Sequence, residues 1–119
     1  MTTNTKDLKA LDDELNEMLR RGEFLPAIER LYAPDVEMQE NGAEATRGRA
    51  ANLAREKSFW GGVELHGARL VSQAIGDGVT MGEWELDWTI GGARSTLRQV
   101  AVRRWQGGLV AHERFYYKP

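Results

Sequence analysis

Apolar residues recur at Leu8, Leu11, Leu15, Met18 and Leu19 in the stretch TKDLKALDDELNEMLRRG. This three-and-four spacing marks one face of a helix. Asp7, Asp12 and Asp13 suit its positive N-terminal half, Arg20 and Arg21 suit its last turn, and Gly22 is a natural stop. EFLPAIERLY predicts a second, short helix with Pro26 in its first turn, closed by Ala33-Pro34. Leu25, Ile28, Leu31 and Tyr32 then face the core. DVEMQE alternates as a short strand does, NGAEATRGR reads as a loop, and AANLAREKSFW predicts a third helix ended by Gly61-Gly62.

The pattern then changes from helical spacing to alternation. VELHGARLVSQAI, VTMGEWELDWTI, STLRQVAVRRW and LVAHERFYY are four strand-like runs, joined by the glycine-containing links GDG, GGAR and QGG. Such links are hairpin signals. Helices followed by an antiparallel meander predict an α+β domain spanning residues 1–119, with the helices on one sheet face. The runs are long, so the strands must twist and coil. Gly67 and Gly82 lie inside them and mark bends or bulges. A long bent sheet around helices encloses a cone, the mouth of which can stay open.

Composition narrows the function classes. Sixteen basic residues oppose eighteen acidic ones, a net charge of −2. That balance offers no general attraction to nucleic acid or to anionic membranes. The basic residues are scattered, and Arg103-Arg104, the densest late pair, reads as solvated. With no cysteine, disulfides, thiolate catalysis and zinc–cysteine sites are excluded. His66 and His112 lack the spacing of a helical metal pair. GDG and GGAR lack the strand–loop–helix context of a phosphate cradle. The absence of an apolar leader or membrane-length run makes cytoplasm the expected location.

The helix pair, LYAPDVEMQENG, a third helix and the terminal RRWQGGLVAHERFYY together resemble the SnoaL-like branch of the nuclear transport factor 2-like superfamily. Tyr32 to Asp35 and the hairpin from Trp105 to Tyr117 carry the resemblance most specifically. It implies a cone-shaped, curved antiparallel sheet wrapped around N-terminal helices (a cystatin-like arrangement), a pocket in the cone, and a homodimer formed through the sheet. Relatives of this kind include polyketide cyclases, ketosteroid isomerases, scytalone dehydratases and limonene epoxide hydrolases. They imply chemistry without metal or organic cofactor, in which a carboxylate or histidine moves a proton. No aspartate here matches a family catalytic aspartate. Neither a Tyr-and-Asp oxyanion arrangement nor an Asp–Arg–Asp set is found.

Strand parity sorts the remaining candidates. Trp84, Leu86, Trp88 and Ile90 share one face, expected to be core or pocket wall. Glu83, Glu85 and Asp87 share the other, expected to be solvated or interfacial, with Arg94, Arg98 or Arg103 able to pair with them. Glu113 lies on the face of Phe115 and Tyr117, and its partners depend on the last hairpin. A two-residue GG loop sets it with Arg98, Val100 and Val102, as an ionised structural pair. A three-residue QGG loop sets it beside Gln99, Ala101 and Trp105, where an aromatic surround suits an acid or base. A type I turn with a left-handed Gly108 favours the second.

The expected site is therefore Glu113 as acid/base and Gln99 as orienting group, lined by Tyr32, Trp84, Trp88, Phe115 and Tyr117. Tyr32 is expected in the core with its hydroxyl on a polar partner. His66 reads as a satisfied histidine, His112 as exposed or interfacial, Glu40 as a turn residue, and Phe59 and Trp60 as packing. The expected ligand is a small apolar molecule, and the expected chemistry is proton transfer of isomerase, cyclase or dehydratase type. The alternative is a non-catalytic binding or dimerisation module with a filled cone.

Overall fold

The computed structural model describes residues 5–119. Helices α1 (Thr5–Arg20) and α2 (Phe24–Leu31) lead into β1 (Tyr32–Glu40), β2 (Thr46–Arg47) and α3 (Arg49–Trp60). The long strands β3 (Val63–Ile75), β4 (Val79–Ile90), β5 (Ala93–Gln106) and β6 (Leu109–Tyr117) follow. They form one sheet in the order β2-β1-β6-β5-β4-β3. Pairing is antiparallel except between β1 and β6, which run parallel. No helix among the described residues is long and apolar enough to cross a membrane.

The first helix stops as its sequence dictates. Gly22 takes a left-handed φ of 76°, the Glu23 amide donates to the Met18 carbonyl at 2.9 Å, and the Gly22 amide donates to Leu19 at 3.0 Å. This double closure satisfies carbonyls that the helix end would leave bare. Leu8 and Leu15 are fully buried, worth about 2 kcal/mol each. With Ile28, Leu31, Val36, Met38, Trp105 and Val110 they form the core between helices and sheet.

Several boundaries depart from expectation. Tyr32 opens β1 rather than closing α2, and Ala33-Pro34 lies inside the strand. Pro34 has no amide to donate, and β1–β6 pairing is interrupted between Tyr32 and Glu37. The loop expected over 41–49 contains the two-residue β2, paired to Glu37 and Met38. The buried Asn52 amide fastens it, donating to Thr46 and Gly48 carbonyls at 2.9 and 2.8 Å.

The sheet bends at bulges. Strand β3 shifts register at Leu65/Gly67 and at Leu70/Ser72. Each extra residue exchanges the two faces, so the partly buried series Val63, Leu65 continues as Ala68, Leu70 and then Gln73, Ile75. Gly82 serves a different need. The Trp84 indole lies over it, and a Cβ there would meet Trp84 Nε1 at 3.0 Å.

Candidate functional site in the cone

The last hairpin decides which groups face inward. Gly107 and Gly108 both have positive φ, 61° and 82°, and Gln106 pairs with Leu109. The loop is thus the two-residue GG turn, not the favoured QGG loop. A bulge at Ala111 follows, between the pairs Trp105↔Val110 and Arg104↔His112. It restores the face partition expected of the longer loop: Gln99 opposes Tyr117, Ala101 opposes Phe115, and Arg103 opposes Glu113. Neither Arg98 nor Gln99 sits directly across from Glu113.

Arg103 therefore corrects the sequence reading. It is not solvated, and it does not serve the outer carboxylates; it is 2% exposed and points into the cone. Its Nε donates to Glu113 at 2.8 Å, and its Nη1 donates to Asp12 at 2.8 Å and Asn16 at 2.7 Å. Asp12, expected to serve the helix dipole, is 1% exposed and also accepts from Thr80 at 2.8 Å and Gln73 at 2.8 Å. Thr80 in turn accepts the Trp105 indole N–H at 2.9 Å. Tyr32 closes the chain, its hydroxyl donating to Glu113 at 2.6 Å. Burial and the adjacent Glu113 carboxylate push the Tyr32 phenol well above its ordinary pKa. Burial opposes the Arg103 charge, but Glu113, Tyr32 and Asp12 outweigh it and hold the guanidinium above its ordinary value.

Of these groups, Tyr32, Arg103 and Glu113 border a cavity of about 340 Å³ between the helices and the concave sheet face. Glu113, Gln99, Tyr32, Trp84, Trp88, Phe115 and Tyr117 all line it. Gln99 makes no side-chain hydrogen bond among the described residues, so its amide is available to a ligand, whereas both Glu113 oxygens are taken. His66 lies outside, its Nε2 at 2.7 Å from the Thr89 hydroxyl. Glu85 and Asp87 occupy the outer face as expected, paired with Arg69 and Arg98 and with Arg94.

A second polar group on the cavity wall was not expected. Glu40 is not a turn residue but the end of β1, and it lines the cavity with Arg55 and Glu56 of α3. Arg55 lies 3.8 Å from Glu40 and 3.4 Å from Glu56. Glu56 accepts the Trp60 indole N–H at 3.0 Å. Burial is the main cause that pushes the Glu56 carboxyl up to about 7; Arg55 pulls it down, while Glu113 and Glu40 add to the rise. Burial raises Glu40 in the same direction against Arg55. Trp60 stacks on Phe24 at 4.0 Å and meets Phe59 and Trp88 edge-on. The available sequence signal was the helical stripe Asn52, Glu56, Phe59, Trp60, which places a carboxylate on the aromatic side of α3.

No family model matches the chain, and no curated protein sequence matches it. Solved structures do. A Mesorhizobium loti protein described as a SnoaL-like polyketide cyclase superposes with a TM-score of 0.85 at 22% identity, over 92% of this chain and 98% of that one. An LEH-like epoxide hydrolase of M. tuberculosis gives 0.78 at 14%, over 96% and 84%. An NTF-2 like protein of unknown function from Burkholderia xenovorans gives 0.78 at 16%, over 95% and 84%. The chain therefore has the nuclear transport factor 2-like fold. Such a fold hosts many activities and does not choose among them.

Proposed function

We propose that the cone binds a small, mainly apolar molecule and that Glu56 transfers a proton on it, in chemistry of the isomerase, cyclase or dehydratase type. The observation that carries this reading is the placement of Glu56. It lines an aromatic cavity, accepts one indole hydrogen bond from Trp60, and has only a 3.4 Å ion pair with Arg55. A carboxyl raised to about 7 is matched to proton transfer near neutral pH. Glu113, the candidate favoured by sequence, is better suited to holding the site. Its two oxygens are committed to Tyr32 and Arg103. Gln99 would polarise a ligand carbonyl or hydroxyl, with Trp84, Trp88 and Phe115 as the apolar wall.

The test begins with a thermal-shift screen of small apolar carbonyl compounds. A hit is then followed by NMR for exchange of its α-proton in deuterated water. Glu56→Gln is expected to slow exchange by about a hundredfold or more while the ligand still binds. Unchanged exchange in that variant would sink the assignment. The sheet's outer face supports a homodimer: Met81, Val100 and Tyr116 are exposed there beside the Glu85 and Asp87 ion pairs. Light scattering showing a strict monomer would remove that part.

A further inference from the structure

The charges in the cone do not balance. Glu40, Glu56 and Glu113 line the cavity, and Asp12 lies behind Arg103; among the described residues that line it, only Arg55 and Arg103 oppose them. Both guanidinium groups are already spent. Arg103 holds Glu113 and Asp12, and Arg55 lies between Glu40 and Glu56. Helix α3 also presents its C-terminal turns, Arg55 to Trp60, to the cavity. That is the negative end of the helix dipole. An excess of negative charge in a largely apolar space costs free energy. It is relieved by a bound cation or by a proton on one carboxylate.

The aromatic rings favour the same sign. Phe59, Trp60 and Trp88 line the cavity with centroid separations of 5.2, 5.7 and 5.8 Å and interplanar angles of 82°, 65° and 64°. Three rings this close and this steeply inclined form a corner. A positive nitrogen set against this corner lies within roughly 6 Å of the ring centres, and each ring that turns a free face to it adds cation–π attraction. Trp60 is fixed from behind by stacking on Phe24, and its indole N–H is held by Glu56 at 3.0 Å. The corner and the unbalanced carboxylate are therefore neighbours.

We propose that the ligand of the cone carries a positive nitrogen: a small organic ammonium compound with an apolar body, its charge in the Phe59–Trp60–Trp88 corner beside Glu56. This rests on the reading of the cone as a binding cavity and names the chemical class that fits it. A neutral ligand leaves the carboxylate excess in place, and an anion worsens it.

Charge and protonation are then linked. The charged groups acting on Glu56 are Arg55 on its own helix, Glu40 on β1 and Glu113 on β6. A bound cation favours ionised Glu56, so binding tightens as pH rises through about 7. The same ligand keeps Glu56 in the form that accepts a proton.

The test is a matched pair, benzyltrimethylammonium and its neutral carbon isostere neopentylbenzene, titrated into the wild-type chain by calorimetry. Neither can donate an N–H hydrogen bond, so they differ in charge alone. At pH 8 the ammonium compound is expected to bind at least about tenfold more tightly. That advantage should shrink several-fold at pH 6. Glu56→Gln should remove the pH dependence of the ammonium compound's binding. If the isostere binds as tightly as the cation at pH 8, the charge assignment is overturned while the cavity stands. If neither binds at millimolar concentration, the binding cavity and the charge assignment fall together. The wild-type comparison decides the matter even if the variant does not fold.

Discussion

The cone carries two carboxylate groups that are treated in opposite ways. Around Glu113, which is 1% exposed, every carboxylate oxygen accepts a hydrogen bond: Tyr32 and Arg103 take those of Glu113, and Arg103, Thr80, Asn16 and Gln73 take those of Asp12. Around Glu56 the side chains are more open, yet fewer donors reach them. Glu40 Oε2 and Arg55 Nε are buried without a partner among the described residues. The contrast teaches that burial alone does not make a carboxyl reactive. Donors decide whether a buried carboxylate is clamped in place or left ready to take a proton.

The largest break in this comparison comes from Arg103→Met. It leaves Asp12 and Glu113 buried with no counter-charge, and should cost about 4 kcal/mol in urea denaturation. A loss under about 1 kcal/mol would mean that water reaches the network and that the inner group is not clamped. Replacing Asp12 and Glu113 by their amides in the same chain should recover part of the loss, because no unpaired charge is then left behind.

The next effect is a pH dependence from Glu56. Its carboxyl rises from 4.5 to about 7 on folding. Below pH 4.5 both states hold the proton, and the group contributes nothing. Between 4.5 and 7 the unfolded chain loses the proton first, so stability falls as pH rises. Above 7 both states are ionised and the full cost, about 3 kcal/mol, is present. Glu56→Gln should therefore be more stable than wild type at pH 8 and equal to it near pH 4. A flat difference across that range would place Glu56 in water.

Tyr32→Phe sharpens the inner half. It removes the 2.6 Å donor to Glu113 and nothing else of size. A hydrogen bond to a buried charge is worth about 2 kcal/mol. Its loss should appear as reduced stability with ligand binding retained, which separates holding the site from acting in it.

The sequence made the fold legible because its signals were periodic. Alternation placed Trp84, Leu86 and Trp88 inward and Glu83, Glu85 and Asp87 outward, and the structure agrees. The site was legible only by face. The favoured three-residue loop set Glu113 with Gln99 and Ala101, but counting residues could not reveal the two-residue turn and the Ala111 bulge that carry Glu113 inward to meet Arg103. Asp12 was hidden for a related reason. An acidic residue near a helix start has an adequate local explanation, and only the arrival of Arg103 and Thr80 from β5 and β4 shows why it is buried. Glu56 and Glu40 meet across α3 and β1, a packing of elements that no local spacing encodes.

The smallest expected effect is also the most discriminating one for assembly. Arg98 and Arg103 stand on the same strand and each binds a carboxylate, but on opposite faces. Glu85 receives Arg69 at 2.6 Å as well as Arg98 at 3.0 Å, and both arginines are exposed. Water and the second arginine replace whatever Arg98 supplies. Arg98→Ala should therefore leave the unfolding midpoint unchanged, in contrast to Arg103→Met. A loss that grows as the protein is diluted would instead place Arg98 between two copies of the chain, because only a contact shared by two copies depends on their concentration.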